Sequence, residues 1–84
     1  MFQVEFSSQA VRFLKKSDKQ ITIRIMERIE KLSEDPFPSD VKRVVNRKEK
    51  IFRVRVGNFR IQYCVSYDKN LIFVSDIDIR ERAY

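Results

Sequence analysis

The chain has 84 residues, enough for one domain, and its 18 basic against 12 acidic residues leave a net charge of +6. It holds no histidine, one cysteine and one glycine, which excludes a Ser-His-Asp triad, a Cys-His pair, an N/S metal site, a disulfide framework, a P-loop and a dinucleotide fingerprint. Its acids are scattered rather than clustered for a two-metal centre, and no run approaches the ~20 apolar residues of a membrane span.

Phe2, Val4 and Phe6 alternate with polar residues and predict a first strand. This start lacks the charged head and apolar run of a signal peptide, so with a lone Cys64 the chain reads as cytosolic. Ser7 or Ser8 can cap a short helix with Ala10, Val11 and Leu14 on its apolar stripe. Asp18 can cap a second helix, where Ile21, Ile25, Ile29 and Leu32 recur at helical spacing and Glu27 precedes Lys31 by four. Ile23 and Met26 lie off that stripe. They are read as a widening of the buried face, the alternative being an exposed strip for a partner helix or strand. Asp35-Pro36-Phe37-Pro38 ends the helix, and Ser39 to Lys50 reads as an irregular basic connection.

Phe52-Arg53-Val54-Arg55-Val56-Gly57-Asn58-Phe59-Arg60-Ile61-Gln62-Tyr63 alternates on both sides of Gly57-Asn58, a two-residue hairpin loop in which Gly supplies the positive φ of a II′ turn. That turn sets Val56 opposite Phe59, Arg55 opposite Arg60, Val54 opposite Ile61 and Arg53 opposite Gln62. Tyr63 and Tyr67 are expected in the core, and Cys64 as a small sheet residue. Asp68-Lys69-Asn70 is a turn into a last strand from Leu71 to Ile77. A three-residue turn pairs Val65 with Phe73 and makes Asp78 a counter-ion for Arg60, whereas a two-residue turn shifts the pairing. The order β-α-α-β-β-β predicts an α+β fold: a mostly antiparallel twisted sheet of about four strands, a helical hairpin on one face, and a single domain over residues 1–84.

Between Val41 and Tyr67 stand eight basic residues and one acid, a local charge of +7 that exceeds the whole chain's. Such clustering is the footprint of nucleic-acid binding. Like charges opposed across strands destabilise a sheet, so Arg55 against Arg60 has no structural motive, whereas a polyanion would neutralise both. The bland alternative is a solvated face with Asp76 or Asp78 as partners. An arginine fork suits phosphate and can stabilise the charge of a phosphorane formed by 2′-OH attack, but it is a poor base. A tyrosine depressed by neighbouring arginines is a conceivable base, and Tyr84, beside Arg80 and Arg82, is the freer candidate.

The hairpin, followed by a strand that leads into Arg80-Glu81-Arg82-Ala83-Tyr84, resembles the RelE/ParE toxin superfamily and is most similar to its RelE-type, archaeal-like members. The resemblance covers nearly the whole chain. It implies a toxin of a type II toxin–antitoxin system, a metal-independent and cofactor-free mRNA endonuclease that cuts in the ribosomal A site. It further implies inhibition by a RelB-type antitoxin, with a heterotetramer among the assemblies allowed. By this resemblance Arg60 contacts the scissile phosphate, Arg53 and Arg55 fall where several members carry lysine, Arg80 is the general acid, and Tyr84 is the base or a stacking platform. Lys42, Arg43, Arg47, Lys48, Lys50 and Arg82 would contact RNA. Arginine at 53 and 55 keeps the charge but removes a group whose pKa can be lowered, and the Arg80–Tyr84 spacing is shorter than in bacterial members. A ParE-like gyrase inhibitor and a non-catalytic RNA-binding module are the rival readings.

Overall fold

The structure, a computed structural model, describes residues 1–44 and 50–79. In chain order the elements are β1 (Gln3–Phe6), α1 (Ser8–Lys16), α2 (Lys19–Glu34), β2 (Lys42–Arg43), β3 (Phe52–Val56), β4 (Phe59–Ser66) and β5 (Leu71–Ile79). The sheet runs β1-β5-β4-β3-β2, antiparallel except that β1 lies parallel to β5. The α+β class is as expected, with five strands in place of about four. The additional strand is Lys42–Arg43, which pairs with Arg53 and Phe52 inside the stretch read as irregular. Two residues are too few for a periodic signal, so only the pairing reveals it.

Both helix starts follow from their caps. The Ser7 hydroxyl accepts from the Ala10 N–H (3.1 Å), and Asp18 accepts from the Ile21 N–H (3.0 Å). The Thr22 hydroxyl donates to the Leu14 carbonyl and ties the two helices together. Ser7 also donates to the Ser75 carbonyl, while Gln9 both donates to and accepts from the Ile77 backbone. These bonds carry the β1–β5 ladder into the start of α1 and fix the far half of β5, where Asp78 stands.

The core joins Ala10, Ile25, Ile29 and Leu32 of the helices to Val54, Ile61, Tyr63, Ile72, Val74 and Ile77 of the sheet. Burying each large apolar side chain stabilises by about 1.5–3 kcal/mol, so these residues set the fold. Tyr63 is fully buried and its hydroxyl donates to the Pro36 carbonyl (2.5 Å), pinning the segment after α2 to the sheet. On α1, Phe13 and Leu14 pack against the core while Val11 is exposed, a shift of the expected stripe by one turn position.

Tyr67 departs from its expected core position and is 67% exposed. The strand alternation stops at Ser66, and Tyr67 begins a four-residue loop, where its ring meets Phe2 edge-on. Ile23 and Met26, expected under the widened face, are 45% and 39% exposed. Among the described residues the sheet ends at β1, and no further strand covers that flank of α2. The Glu27–Lys31 spacing closes no ion pair within 4.0 Å, since an exposed pair gains too little to fix two long side chains.

Candidate nucleic-acid interface

The β3–β4 hairpin has the register predicted from its turn, Arg55 opposite Arg60 included. Gly57 has φ +58° and Asn58 does not share the positive φ, as a II′ turn requires. On β5, Arg60 lies opposite Asp78, and Gln62 lies opposite Asp76. The predicted Arg60–Asp78 pairing therefore holds, but the Val65–Phe73 pairing does not: Val65 faces Ile72. The loop is one residue longer than expected, with Asn70 in the left-handed region at φ +53°, and an extra β5 residue, Ser75, bulges between the partners of Gln62 and Tyr63. The bulge restores the register that the longer loop had shifted.

Alternation places two charged rows on the sheet face away from the helices. One is Arg55–Arg60–Asp78 and the other is Lys42–Arg53–Gln62–Asp76. The rows lie roughly 6.6–6.8 Å apart, two residues along each strand. Charge runs across the face from basic at β2 and β3 to acidic at β5.

Arg60 meets Asp78 through Nε at 3.4 Å, with the two side chains 21% and 40% exposed. At that length and exposure the contact contributes at most about 1 kcal/mol. It holds the guanidinium by one edge, so the Nη edge is not consumed by Asp78. Lys42, Arg53 and Arg55 line a groove of about 300 Å³ with Val54 and Asp40. The Asp40 carboxylate is already engaged, with Arg28 Nη2 donating to its two oxygens at 2.6 and 2.7 Å. That bond holds the Asp40 carboxyl below the usual carboxylate range, although partial desolvation opposes it. The groove is thus left with a positive surplus.

Of the residues singled out from sequence, Lys42, Arg53, Arg55 and Arg60 come together on this face. Arg43 takes the register of Phe52 and so belongs to the other side of the β2 edge, exposed. Lys50 is exposed just before β3. Arg47, Lys48, Arg80, Arg82 and Tyr84 lie outside the described residues. Tyr63 is unsuited to proton transfer, because burial pushes its phenol well above the ordinary value and its hydroxyl is bonded to Pro36.

Three basic residues were missed from sequence: Arg24, Arg28 and Lys31. Their i, i+4, i+7 spacing sets them on one face of α2, a signal available to a helical count but hidden when charge is summed along the chain. They face Arg55 and Gly57 across a further groove of about 280 Å³.

The sequence profile described as ParE toxin of type II toxin–antitoxin system, parDE, matches residues 4–84. The chain belongs to the ParE/RelE toxin family. It is 36% identical to a Methanocaldococcus jannaschii protein named toxin RelE1, over 99% of this chain and 94% of that one. Its fold matches the archaeal RelE–RelB complex from Pyrococcus horikoshii OT3 at TM-score 0.82 and 26% identity, covering 98% of each chain. The Mycobacterium tuberculosis toxin–antitoxin complex RelBE2 matches at TM-score 0.78 and 25% identity, over 94% of this chain and 98% of that one. The isolated Escherichia coli RelE toxin, at 15% identity and TM-score 0.84 over 99% of this chain and 88% of that one, shares the fold. Within the family the chain is a RelE-type toxin of a toxin–antitoxin system.

Proposed function

We propose that this toxin is a cytoplasmic endoribonuclease that cuts mRNA in the ribosomal A site. The carrying observation is the Arg55–Arg60–Asp78 row, with Lys42 and Arg53 in the next row of the same open face. In the proposed chemistry the substrate's own 2′-OH attacks the adjacent phosphorus and the 5′-oxygen leaves. Arg60, held at one edge by Asp78, directs its Nη groups to the phosphorane oxygens, where developing charge makes a fixed donor most effective. Arg53 and Arg55 hold flanking phosphates. Arg80 would give a proton to the leaving oxygen, and Tyr84 would take one from the 2′-OH or stack on the base. Arg43, Arg47, Lys48, Lys50 and Arg82 would hold ribosomal RNA.

The described chain presents no conventional acid–base pair, so orientation must supply much of the acceleration, and the ribosome is the natural source of it. The names of the relatives, which include RelE–RelB complexes, support a RelB-type antitoxin as partner. Primer extension on mRNA, with and without ribosomes, tests the reading. Strong cuts within codons only when ribosomes are present are expected. Equal cutting of naked RNA would contradict ribosome dependence. No cutting, together with inhibition of DNA gyrase, would turn the assignment to the rival reading of a ParE-like gyrase inhibitor.

A further inference from the structure

We propose that the groove between α2 and the β3–β4 turn is a second RNA-backbone site, continuous with the phosphate face, which it joins at Arg55. The inference rests on the RNA reading above. Arg24, Arg28 and Lys31 of α2 share this groove with Arg55 and, as the acid among the described residues, Glu27. Arg55 also lines the sheet-face groove with Lys42 and Arg53, so the two grooves meet at one guanidinium. They can meet there because β2 pairs only with Phe52 and Arg53. Beyond Arg53 the β3 edge has no neighbouring strand among the described residues.

Gly57 is part of the same arrangement. The Arg24 guanidinium lies over the turn, its Nη2 3.1 Å from where a Cβ of residue 57 would stand. The chain's one glycine thus both makes the turn and leaves space for a cation above it. Arg28 is anchored by Asp40, so Arg24 and Lys31 supply the charge that this groove can offer a ligand.

An acidic polypeptide is the other polyanion with matching charge. Protein interfaces, however, are anchored by buried apolar and aromatic side chains, and among the described residues Val56 is the only apolar side chain lining this groove. Arginine forks and an otherwise polar lining suit a phosphate backbone instead.

The test is fluorescence anisotropy of a labelled single-stranded RNA titrated with the whole protein over a range of salt. The Arg24→Glu/Lys31→Glu variant is compared with Arg12→Glu/Lys16→Glu, an equal change of charge at exposed α1 positions. The groove variant should bind at least ~10-fold more weakly at low salt. Its slope of log K against log salt should flatten by about 0.7 for each phosphate that the groove no longer neutralises. The α1 variant should change the slope little, and all three proteins should melt alike. Should the α1 pair lower affinity as much, net charge alone explains binding and the groove is not a site. If the protein binds RNA but the groove variant binds equally well, this inference fails while the RNA reading stands. If the unmodified protein binds no RNA, the RNA reading itself fails and takes the groove with it. Polyglutamate that outcompetes RNA, and loses that advantage in the groove variant, would reassign the groove to an acidic polypeptide.

Discussion

On one flank of α2, Ile23 and Met26 face Phe2 and Val4 of the β1 edge across an apolar cleft of about 450 Å³. On the other flank, Arg24, Arg28 and Lys31 face the hairpin tip across a groove whose walls are charged. Both surfaces come from one helix, sorted by the 3.6-residue period into neighbouring but chemically opposite stripes. This contrast decides which forces a ligand can use at each. The cleft, mostly apolar although Glu27 and Glu30 also line it, binds chiefly by burying area, which salt affects less than charge pairing. The basic side binds through charge, which salt screens over about 8–10 Å at ordinary ionic strength. A partner seated in the cleft alone would leave Arg60 open, since Arg60 points from the opposite face of the sheet. An inhibitor of the proposed activity must therefore reach round to the basic face or oppose ribosome docking from the side.

The largest expected effect separates chemistry from fold. Arg60→Ala should lower ribosome-dependent cleavage by ~10²–10³, the loss seen when one preorganised donor to a developing oxyanion is removed. Its melting temperature should shift little, because the Asp78 contact is long and half-exposed. Normal cleavage by folded Arg60→Ala protein would remove the charged row from the mechanism.

A smaller effect is expected at the cleft. Met26→Asp places a charge on an apolar wall without disturbing the core, since Met26 is 39% exposed. If a RelB-type antitoxin seats in this cleft, the substitution should weaken its capture by about tenfold or more, in the range of a useful interface contact. Cleavage should be unchanged. Unaltered antitoxin affinity would show that the partner does not use this cleft.

How much of this was legible depended on whether the signal was local. The hairpin register follows from Gly57-Asn58 and the strict alternation around it, both local, and it came out residue for residue. The Arg60–Asp78 pairing was reached by a route with two compensating differences. The loop after Ser66 is longer than predicted, and the Ser75 bulge, held by Ser7 and bonded to the Gln62 carbonyl, takes up the residue. Nothing in the sequence near Ser75 announces a bulge, because its cause lies at the start of α1. Exposure of Ile23 and Met26 is likewise non-local, being fixed by where the sheet stops. The Arg24-Arg28-Lys31 stripe was local and readable, and was missed because charge was counted along the chain rather than around the helix.

The smallest predicted effect lies where the two basic grooves adjoin. Asp40 lines one and is bonded to Arg28, which lines the other. Its carboxyl is held below the usual range, chiefly by the Arg28 hydrogen bond, so the folded state binds its proton less readily than the unfolded chain. The pair's stabilisation is then fully present above the unfolded value, near pH 4, and is lost as pH falls through the lower folded value. Because Asp40 is largely exposed, that contribution is at most about 1 kcal/mol. Asp40→Asn should melt slightly below the unmodified protein at neutral pH, and the gap should close in acid. The same substitution removes an anion from the basic side, so RNA affinity should rise modestly at low salt, while the affinity of any partner seated in the apolar cleft should stay constant. If both affinities moved together, charge at Asp40 would reach across α2, and the two flanks would not be independent surfaces.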